Sequence, residues 1–465
     1  MKALNAIRMS GAEVLPLVEG GKGVSVSTGV SSGAWAAAGG IGTFSGVNGD
    51  FYDERGALVP QIYKGKTRRE RHDELVEFGV KGGIAQARIA HDMRAGQGRL
   101  HMNILWEMGG AERVLTGILE GAKGLVHGVT CGAGMPYRLA EITSHYGVYY
   151  YPIVSSARAF RALWKRAYSK FSEYLGAVVY EDPWLAGGHN GLSNSEDPTK
   201  PEDPLPRIKE LRALMVELGL KDTPIVMAGG VWYLREWDAW IDNPEVGPIA
   251  FQFGTRPLLT KESPVSNAWK EKLFTLKKGD IYLNRFSPTG FWSSAVENEF
   301  VRELKGREER QIAYTMEVHG EHQVEFPMGP CGRIVFLTKG DEVRARQWMA
   351  QGHTEALKTP ESTLIFVTPE RARVIRIDQI ECMGCLSACR FSNWSQGPEG
   401  TTGKKADPRS FCIQKTLKDI SHDGDVEHNL MFAGHGAYRF ATDPFYSNRF
   451  IPTVKELVDR IMTGD

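Results

Sequence analysis

Eight short apolar runs, most of them separated by stretches with helical periodicity, occupy the first 255 residues of this 465-residue chain. The runs lie at residues 23–27, 41–44, 101–105, 124–128, 149–151, 177–180, 224–228 and 249–253. Runs that are apolar throughout are typical of strands buried on both faces of a parallel sheet. Their alternation with helices predicts a (β/α)8 TIM-type barrel, which needs about 250 residues. A doubly wound open sheet is the alternative, because periodicity alone does not show closure.

The regular alternation ends near residue 262, and the remaining chain divides by composition into two further regions. We predict that residues 1–262 form the barrel and that residues 263–375 form a mixed α/β insertion or lid region. Residues 376–465 then contain a group of clustered cysteines and a C-terminal helix over 453–462. Within the barrel, helices are expected among others over 34–38, 68–90 and 206–218.

The charge balance excludes several classes of partner. Lys and Arg together number 56, equal to the 56 Asp and Glu residues, so nothing draws the chain to nucleic acid or to an anionic membrane surface. No run approaches the roughly 18 apolar residues of a membrane span. Residues 1–20 lack the apolar core of a signal peptide. The expectation is a cytoplasmic protein acting on a small molecule, of unknown oligomeric state.

Two glycine turns follow the last two predicted strands. Gly229-Gly230 comes directly after the run 224–228, and Gly254-Thr255 comes directly after 249–253. Glycine lets the backbone approach a ligand closely, and backbone N–H groups at the start of a helix bind anions. In parallel barrels the loops after strands seven and eight are common phosphate sites. The two turns together predict a phosphate site, although either alone would be read as a tight connection.

A histidine flanked by glycines follows the sixth predicted strand, in Gly187-Gly188-His189-Asn190-Gly191. This loop should lie on the same face of the barrel as the two glycine turns. A histidine there can serve as acid, base or hydrogen-bond donor near neutral pH. A structural role, packing or capping, is equally compatible with the motif itself. Glu181, which ends the same strand, is a weaker candidate that a salt bridge would also explain.

These segments resemble the nitronate monooxygenase family, also called 2-nitropropane dioxygenase-like. The resemblance covers most of residues 20–300 and resumes over 431–457. Its segments are Gly39-Gly40-Ile41-Gly42-Thr43, Asn103-Ile104-Leu105, Gly187-Gly188-His189-Asn190-Gly191, Ala228-Gly229-Gly230 and the stretch 254–263. The resemblance implies an FMN enzyme on a (β/α)8 barrel. One departure is Val26-Ser27-Thr28-Gly29, which replaces the usual apolar-Pro-Met start of the first strand and leaves the substrate open.

The resemblance also implies roles for individual residues. Those expected to bind FMN are Asn103, Gly188, Gly229, Gly230, Gly254 and Thr255. His189 matches the catalytic histidine, which holds or deprotonates the nitro compound. The implied reaction oxidises an alkyl nitronate with O2 to a carbonyl compound and nitrite. Two alternatives stay open: an NAD(P)H-dependent flavin reductase of the enoyl-thioester or quinone type, and a flavin and iron–sulfur electron-transfer module.

Four of the six cysteines fall within residues 382–412. Cys382, Cys385 and Cys389 are spaced x2 and x3, and Cys412 lies beyond a loop rich in Gly and Lys. Thiolates at such spacing can hold a [4Fe–4S] cluster or a tetrahedral zinc ion. Reduced thiols in a packed tail are the third interpretation, and spacing alone does not separate the three. A bound metal would favour the reductase or electron-transfer hypothesis, and its absence would favour nitronate oxidation.

Overall fold

The computed structural model describes residues 1–329, 332–422 and 424–465. Eight parallel strands form a closed barrel, in which each strand pairs with the next along the chain and the last pairs with the first. The strands are Leu17–Glu19, Ile41–Ser45, Arg99–Leu105, Gly128–Gly132, Tyr149–Val154, Val178–Glu181, Ile225–Ala228 and Ile249–Phe253. The predicted barrel is therefore confirmed, and the open sheet is wrong.

Two of the predicted strands are misplaced. The first barrel strand is Leu17–Glu19, whereas residues 23–27 form turns in which the N–H groups of Val26 and Ser27 donate to the Lys22 carbonyl at 3.2 and 3.0 Å. The fourth strand begins at Gly128, because Gly124 has a φ of +79°, which is incompatible with a strand. The other six strands overlap the predicted runs.

Helices surround the barrel as the alternation predicts. The α-helices are Gly29–Ala37, Arg68–Met93, Ala111–Gly121, Leu139–His145, Ala157–Arg166 and Pro204–Glu217. Three 3₁₀ helices complete the ring: Tyr168–Tyr174 in the fifth connection, and Leu234–Trp240 and Arg256–Leu259 after strands seven and eight. The C-terminal helix Val454–Met462 begins at a capping box formed by Thr453 and Glu456. It packs against Gly29–Ala37 and closes the ring where the 3₁₀ helix Arg256–Leu259 is too short to do so.

Further elements cover the mouth of the barrel, which is the face where the C-terminal ends of the strands meet. A three-stranded antiparallel sheet joins Ile281–Asn284, Ser293–Val296 and the two-residue strand Gly188–His189. Around it lie Asn267–Leu273, Glu299–Glu309, Ile413–His422, and the 3₁₀ helices His435–Ala441 and Pro444–Arg449. The chain beyond residue 262 thus returns repeatedly to the same face of the barrel.

A smaller α/β unit is attached beside this cover. Its antiparallel sheet has the order Gln311–Ala313, Thr363–Val367, Glu355–Lys358, and a hairpin joins Val324–Met328 to Arg333–Leu337. Helices Lys339–Ala350 and Pro369–Ile380 complete the unit. Two short strand pairs lie elsewhere in the chain: Ile7–Met9 with Ala12–Val14, and Ala388–Cys389 with Trp394–Ser395. Across the described ranges, no helix is long and apolar enough to cross a membrane.

Candidate active site

A cavity lies at the mouth of the barrel. Residues at or just after the C-terminal ends of all eight strands line it, and the cover closes it from above. The lining includes every residue that the sequence predicts for the cofactor and catalytic site, namely Asn103, Gly188, His189, Gly229, Gly230, Gly254 and Thr255. The structure thus brings the predicted residues together around one space, and their individual roles stay predictions.

The two glycine turns form one end of the cavity. Gly229 and Gly230 have φ values of +92° and +77°, and a Cβ on Gly229 would come within 3.1 Å of both Asp182 and Ala186. Gly254 differs, because a Cβ there would meet no atom within 4 Å. The missing side chain at Gly254 therefore leaves room in the cavity itself. Such a cradle fits a phosphate group held by backbone N–H groups.

Helix dipoles contribute little to anion binding at the glycine-turn end of the cavity. The helices after strands seven and eight are short 3₁₀ helices, and the one after strand eight, Arg256–Leu259, has four residues. The dipole effect of an α-helix arises from aligned peptide groups over several turns. Backbone N–H groups of the turns, rather than a long helix, are what this end offers an anion.

The turn after strand eight is fixed from behind by the C-terminal part of the chain. Thr255 Oγ1 accepts a hydrogen bond from the Gly434 N–H at 2.9 Å. The fully buried Arg256 donates to Tyr446 Oη at 3.2 Å and to the Trp232 carbonyl at 2.9 Å. The guanidinium of Arg256 therefore links the turns after strands seven and eight and does not face the cavity.

His189 is held at the cavity wall by the small sheet over the mouth. It pairs with Ser293, and its Nε2 lies 2.6 Å from Ser287 Oγ. The rings of Phe432 and Phe291 contact the imidazole edge to face, at 5.3 and 6.5 Å between centroids. Burial lowers the pKa of His189 to about 4. The imidazole is therefore neutral at pH 7 and able to accept a proton.

Glu181 lies at the C-terminal end of the sixth strand and also lines the cavity. Burial, with a smaller effect from the neighbouring Asp182 carboxylate, raises the pKa of Glu181 to about 8. This carboxyl group is therefore protonated at pH 7. The cavity consequently carries a neutral acid and a neutral base, Glu181 and His189, on the strand and loop of one βα unit. Perturbed groups in a cleft are typical of functional sites.

A buried ion pair at the first strand was missed by sequence reasoning. Lys22 Nζ lies 3.3 Å from Glu19 Oε1 and donates to the Gly20 carbonyl at 2.7 Å, and Lys22 lines the cavity. Burial lowers the pKa of Lys22, while Glu19 raises it. The predicted strand over residues 23–27 places Lys22 before the first strand, whereas the strand Leu17–Glu19 places it in the loop that follows.

Asn103 lies in the third strand, beneath the loop that carries Lys22. A Cβ on Gly21 would come 2.3 Å from Asn103 Cβ, so this loop approaches the strand more closely than any larger residue would allow. The side chain of Asn103 is buried and lines the cavity. Its amide is thus placed beside the cavity by the glycine opposite it.

The cysteine segment, residues 381–396, forms part of the cavity wall. Cys385 and Leu386 line the cavity, as do Gln414 and Leu417 of helix Ile413–His422. Cys382, Cys385, Cys389 and Cys412 are all free thiols, and Cys331 lies outside the described residues. Within residues 1–329, 332–422 and 424–465, no three His, Cys, Asp or Glu side chains are placed to hold a single metal ion.

Comparison with known proteins places this site in a family. The nitronate monooxygenase family model matches residues 103–464, which is most of the chain. The chain belongs to the nitronate monooxygenase family. The predicted resemblance is thereby confirmed, and the protein is an oxidoreductase. Comparison with individually curated proteins gives no match.

Two solved structures share the fold of this family member. Nitroalkane oxidase from Streptomyces ansochromogenes is 14% identical, with a TM-score of 0.52 over 97% of this chain and 95% of that one. FabK from Thermotoga maritima is 15% identical, with a TM-score of 0.50 over 97% of this chain and 92% of that one. At these identities the likeness concerns the fold alone.

Proposed function

We propose that this protein is an FMN-dependent oxidoreductase that oxidises alkyl nitronates with O2 to a carbonyl compound and nitrite. The observation that carries the proposal is a neutral histidine, His189, in the same cavity as the glycine turns after strands seven and eight. Family membership supports the reaction class. The chemistry of the cavity supports the choice of an anionic, electron-rich substrate.

The residues present fit FMN. Gly229, Gly230, Gly254 and Thr255 would hold its phosphate, since a Cβ at Gly254 meets only open space. Asn103 and Gly188, farther along the same cavity, would lie beside its ring system. When bound, FMN supplies a two-electron acceptor that also reacts with O2.

The chain supplies proton chemistry and a suitable charge. The His189 imidazole can accept a proton from the α-carbon of a nitroalkane, or donate a hydrogen bond to the nitro oxygens once protonated. Glu181, protonated at pH 7, adds no negative charge to the cavity and can donate a hydrogen bond. Lys22, which follows the first strand, also lines the cavity and lies close to Glu19. An anionic nitronate is therefore better accommodated than a cationic substrate.

A second function is favoured by one specific observation, the cysteine segment in the cavity wall. Thiols next to a flavin site are not needed for nitronate oxidation by O2. They would fit an NAD(P)H-dependent reductase of the enoyl-thioester or quinone type, or an electron-transfer module. The two functions differ in the reductant that they require, and this difference is measurable.

Anaerobic mixing of the purified holoenzyme with NADH, NADPH and an alkyl nitronate, each separately, distinguishes them. We expect the flavin absorption band at about 450 nm to bleach rapidly with the nitronate. With NADH or NADPH it should bleach slowly or not at all. Nitrite should then form in step with O2 consumption once air is admitted. Rapid bleaching by NADH or NADPH, with none by nitronate, would contradict the proposal and favour the reductase.

A further inference from the structure

The turn after the first barrel strand brings a lysine, Lys22, into the wall of the active-site cavity. This turn contacts two parts of the proposed flavin site. A Cβ on Gly20 would come 3.0 Å from Gly254 Cα, and a Cβ on Gly21 would come 2.3 Å from Asn103 Cβ. The backbone that leads to Lys22 therefore touches both the proposed phosphate cradle and the residue expected beside the flavin ring.

Both the main chain and the side chain of Lys22 are held in place. Its N–H donates to Ser27 Oγ at 3.0 Å, and its carbonyl accepts the N–H of Ser27 at 3.0 Å. The ammonium group donates to the Gly20 carbonyl at 2.7 Å and lies 3.3 Å from Glu19 Oε1. Two of its three N–H groups thus have acceptors among the described residues, which leaves one for a ligand.

The ion pair presents its positive end to the cavity. The Glu19 side chain is fully buried and does not line the cavity, whereas the Lys22 side chain lines it and is 16% exposed. The Glu19 carboxylate also accepts hydrogen bonds from Ser31 Oγ at 3.1 Å and from the Thr43 N–H at 3.2 Å. These donors share the negative charge of Glu19, and Glu19 in turn favours the charged form of Lys22.

Little else in the cavity competes with this charge. Lys22 is the only lysine or arginine among the described residues that line the cavity. Glu181 is protonated at pH 7 and His189 is neutral. The carboxylate of Glu107 accepts a hydrogen bond from Ser387 Oγ at 2.6 Å. A fixed charge in a site shielded from water acts on a ligand more strongly than the same charge in solvent.

We propose that Lys22 stabilises the negative charge that the flavin gains on reduction, and thereby sets the affinity of the flavin for electrons. The neutral oxidised ring takes up two electrons and one proton, which leaves one negative charge on it. In turnover the nitronate donates the electrons and O2 is the final acceptor. Charge near the flavin ring is a recognised means of tuning its electronics. The inference rests on the proposed function, because it requires bound FMN.

The test compares the wild-type holoenzyme with Lys22→Met, which keeps the length of the side chain and removes its charge. Sulfite adds to the oxidised flavin and places a negative charge on the ring, as reduction does, so its dissociation constant measures the effect without turnover. We expect Lys22→Met to bind sulfite at least about tenfold more weakly than wild type. Its two-electron potential should fall by about 30 mV for each tenfold change, measured against a reference dye with xanthine and xanthine oxidase as the electron source.

Two further Lys22 variants separate charge from structure. Lys22→Arg keeps the charge and should bind sulfite within about threefold of wild type. Lys22→Gln can still donate to the Gly20 carbonyl but is neutral, so it should behave like Lys22→Met and decides if that variant does not fold. The control Lys123→Met removes an exposed lysine that precedes the fourth strand, and it should match wild type.

The outcomes distinguish this inference from the proposed function. Sulfite affinity and potential that stay at wild-type values in both neutral variants, with FMN bound, would overturn the role of Lys22 alone. Wild-type protein that takes up no FMN would overturn the proposed function and this inference with it. Equal losses in Lys22→Arg and Lys22→Gln would show that Lys22 has a structural role, and would overturn the inference.

Discussion

Burial keeps the imidazole of His189 neutral across the physiological pH range, and this is the state a base requires. Replacing His189 with Ala should lower kcat by roughly 10² or more while FMN stays bound. In the wild-type enzyme, kcat/KM for a neutral nitroalkane should stay level from pH 7 down to about pH 5 and fall as the pH passes through about 4. Steady-state kinetics across this range provide the measurement.

The control for His189 is Ser287→Ala, which removes the neighbour of Nε2 but leaves the imidazole. We expect a loss of only about tenfold from this change, the scale of one neutral hydrogen bond. Normal turnover in a His189→Ala enzyme that retains its FMN would show that His189 has a structural role. A descending limb near pH 6.5 would show that the imidazole is not desolvated.

Glu181 should make the stability of the folded protein fall as the pH rises. Its pKa is about 8 in the folded protein and about 4.5 when exposed, so the folded state binds the proton more tightly. Stability from this group is complete below about pH 4.5 and is lost as the pH rises through about 8. Glu181→Gln keeps the neutral form, so its Tm relative to wild type should increase from pH 6 to pH 9 by on the order of 2 °C.

Calorimetry at several pH values tests this prediction. Asp203→Asn serves as a comparison, because Asp203 is an exposed helix cap that Asn replaces about equally well, so the Tm should change little at either pH 6 or pH 9. A Tm difference for Glu181→Gln that does not change with pH would mean that the carboxyl is solvated in the folded protein. The kinetic counterpart is a fall in kcat/KM for anionic nitronates above about pH 8, absent in Glu181→Gln.

At the scale of elements, helix Arg68–Met93 acts as the support of the cysteine segment. Arg71 alone donates to the carbonyls of Cys382, Ile380 and Gly65. Arg71→Ala should cost about 1.5–3 kcal/mol, since hydrogen bonds from charged donors lie at the upper end of hydrogen-bond values. Hydrogen exchange of residues 381–396 should accelerate while the barrel strands keep their protection.

Arg88→Ala is the matched control, because Arg88 is exposed on the same helix. It should leave both the stability and the exchange pattern within about 0.5 kcal/mol of wild type. Unchanged exchange in Arg71→Ala would show that other contacts hold the cysteine segment. Such contacts include the hydrogen bonds between Ser387 and Glu107, at 2.7 Å to the carbonyl and 2.6 Å to the carboxylate.

The elements also show where sequence reasoning succeeds and where it ends. The turn at Gly229-Gly230 was predictable because φ values of +92° and +77° favour glycine, whereas at Gly254 the backbone tolerates a side chain and only the position after a strand indicated the turn. The first strand was not, since Leu17–Glu19 has only three residues and the adjacent run 23–27 is equally apolar. No periodic pattern marks so short a strand. Its misplacement hid the ion pair of Lys22 and Glu19.

At the scale of the whole molecule, one barrel carries a cover built from the second half of the chain. The barrel follows from local alternation, whereas the cover depends on contacts between residues far apart in sequence. Gly434 binding to Thr255 and Arg71 binding to Cys382 are examples, separated by 179 and 311 residues. Spacing predicted that three cysteines lie close together. It gave no sign that one of them, Cys385, lines the active-site cavity.

Release of FMN from the purified protein tests the central claim, that the glycine turns at the barrel mouth hold this cofactor. We predict about one FMN per chain on denaturation of the wild type. Gly254→Val should give colourless protein that folds normally, with FMN affinity lowered by roughly 10²-fold, since its side chain fills the phosphate cradle. The control Gly340→Val, at an exposed helix start, should bind FMN like wild type. Release of FAD, no flavin after reconstitution, or full FMN occupancy in Gly254→Val would contradict the account.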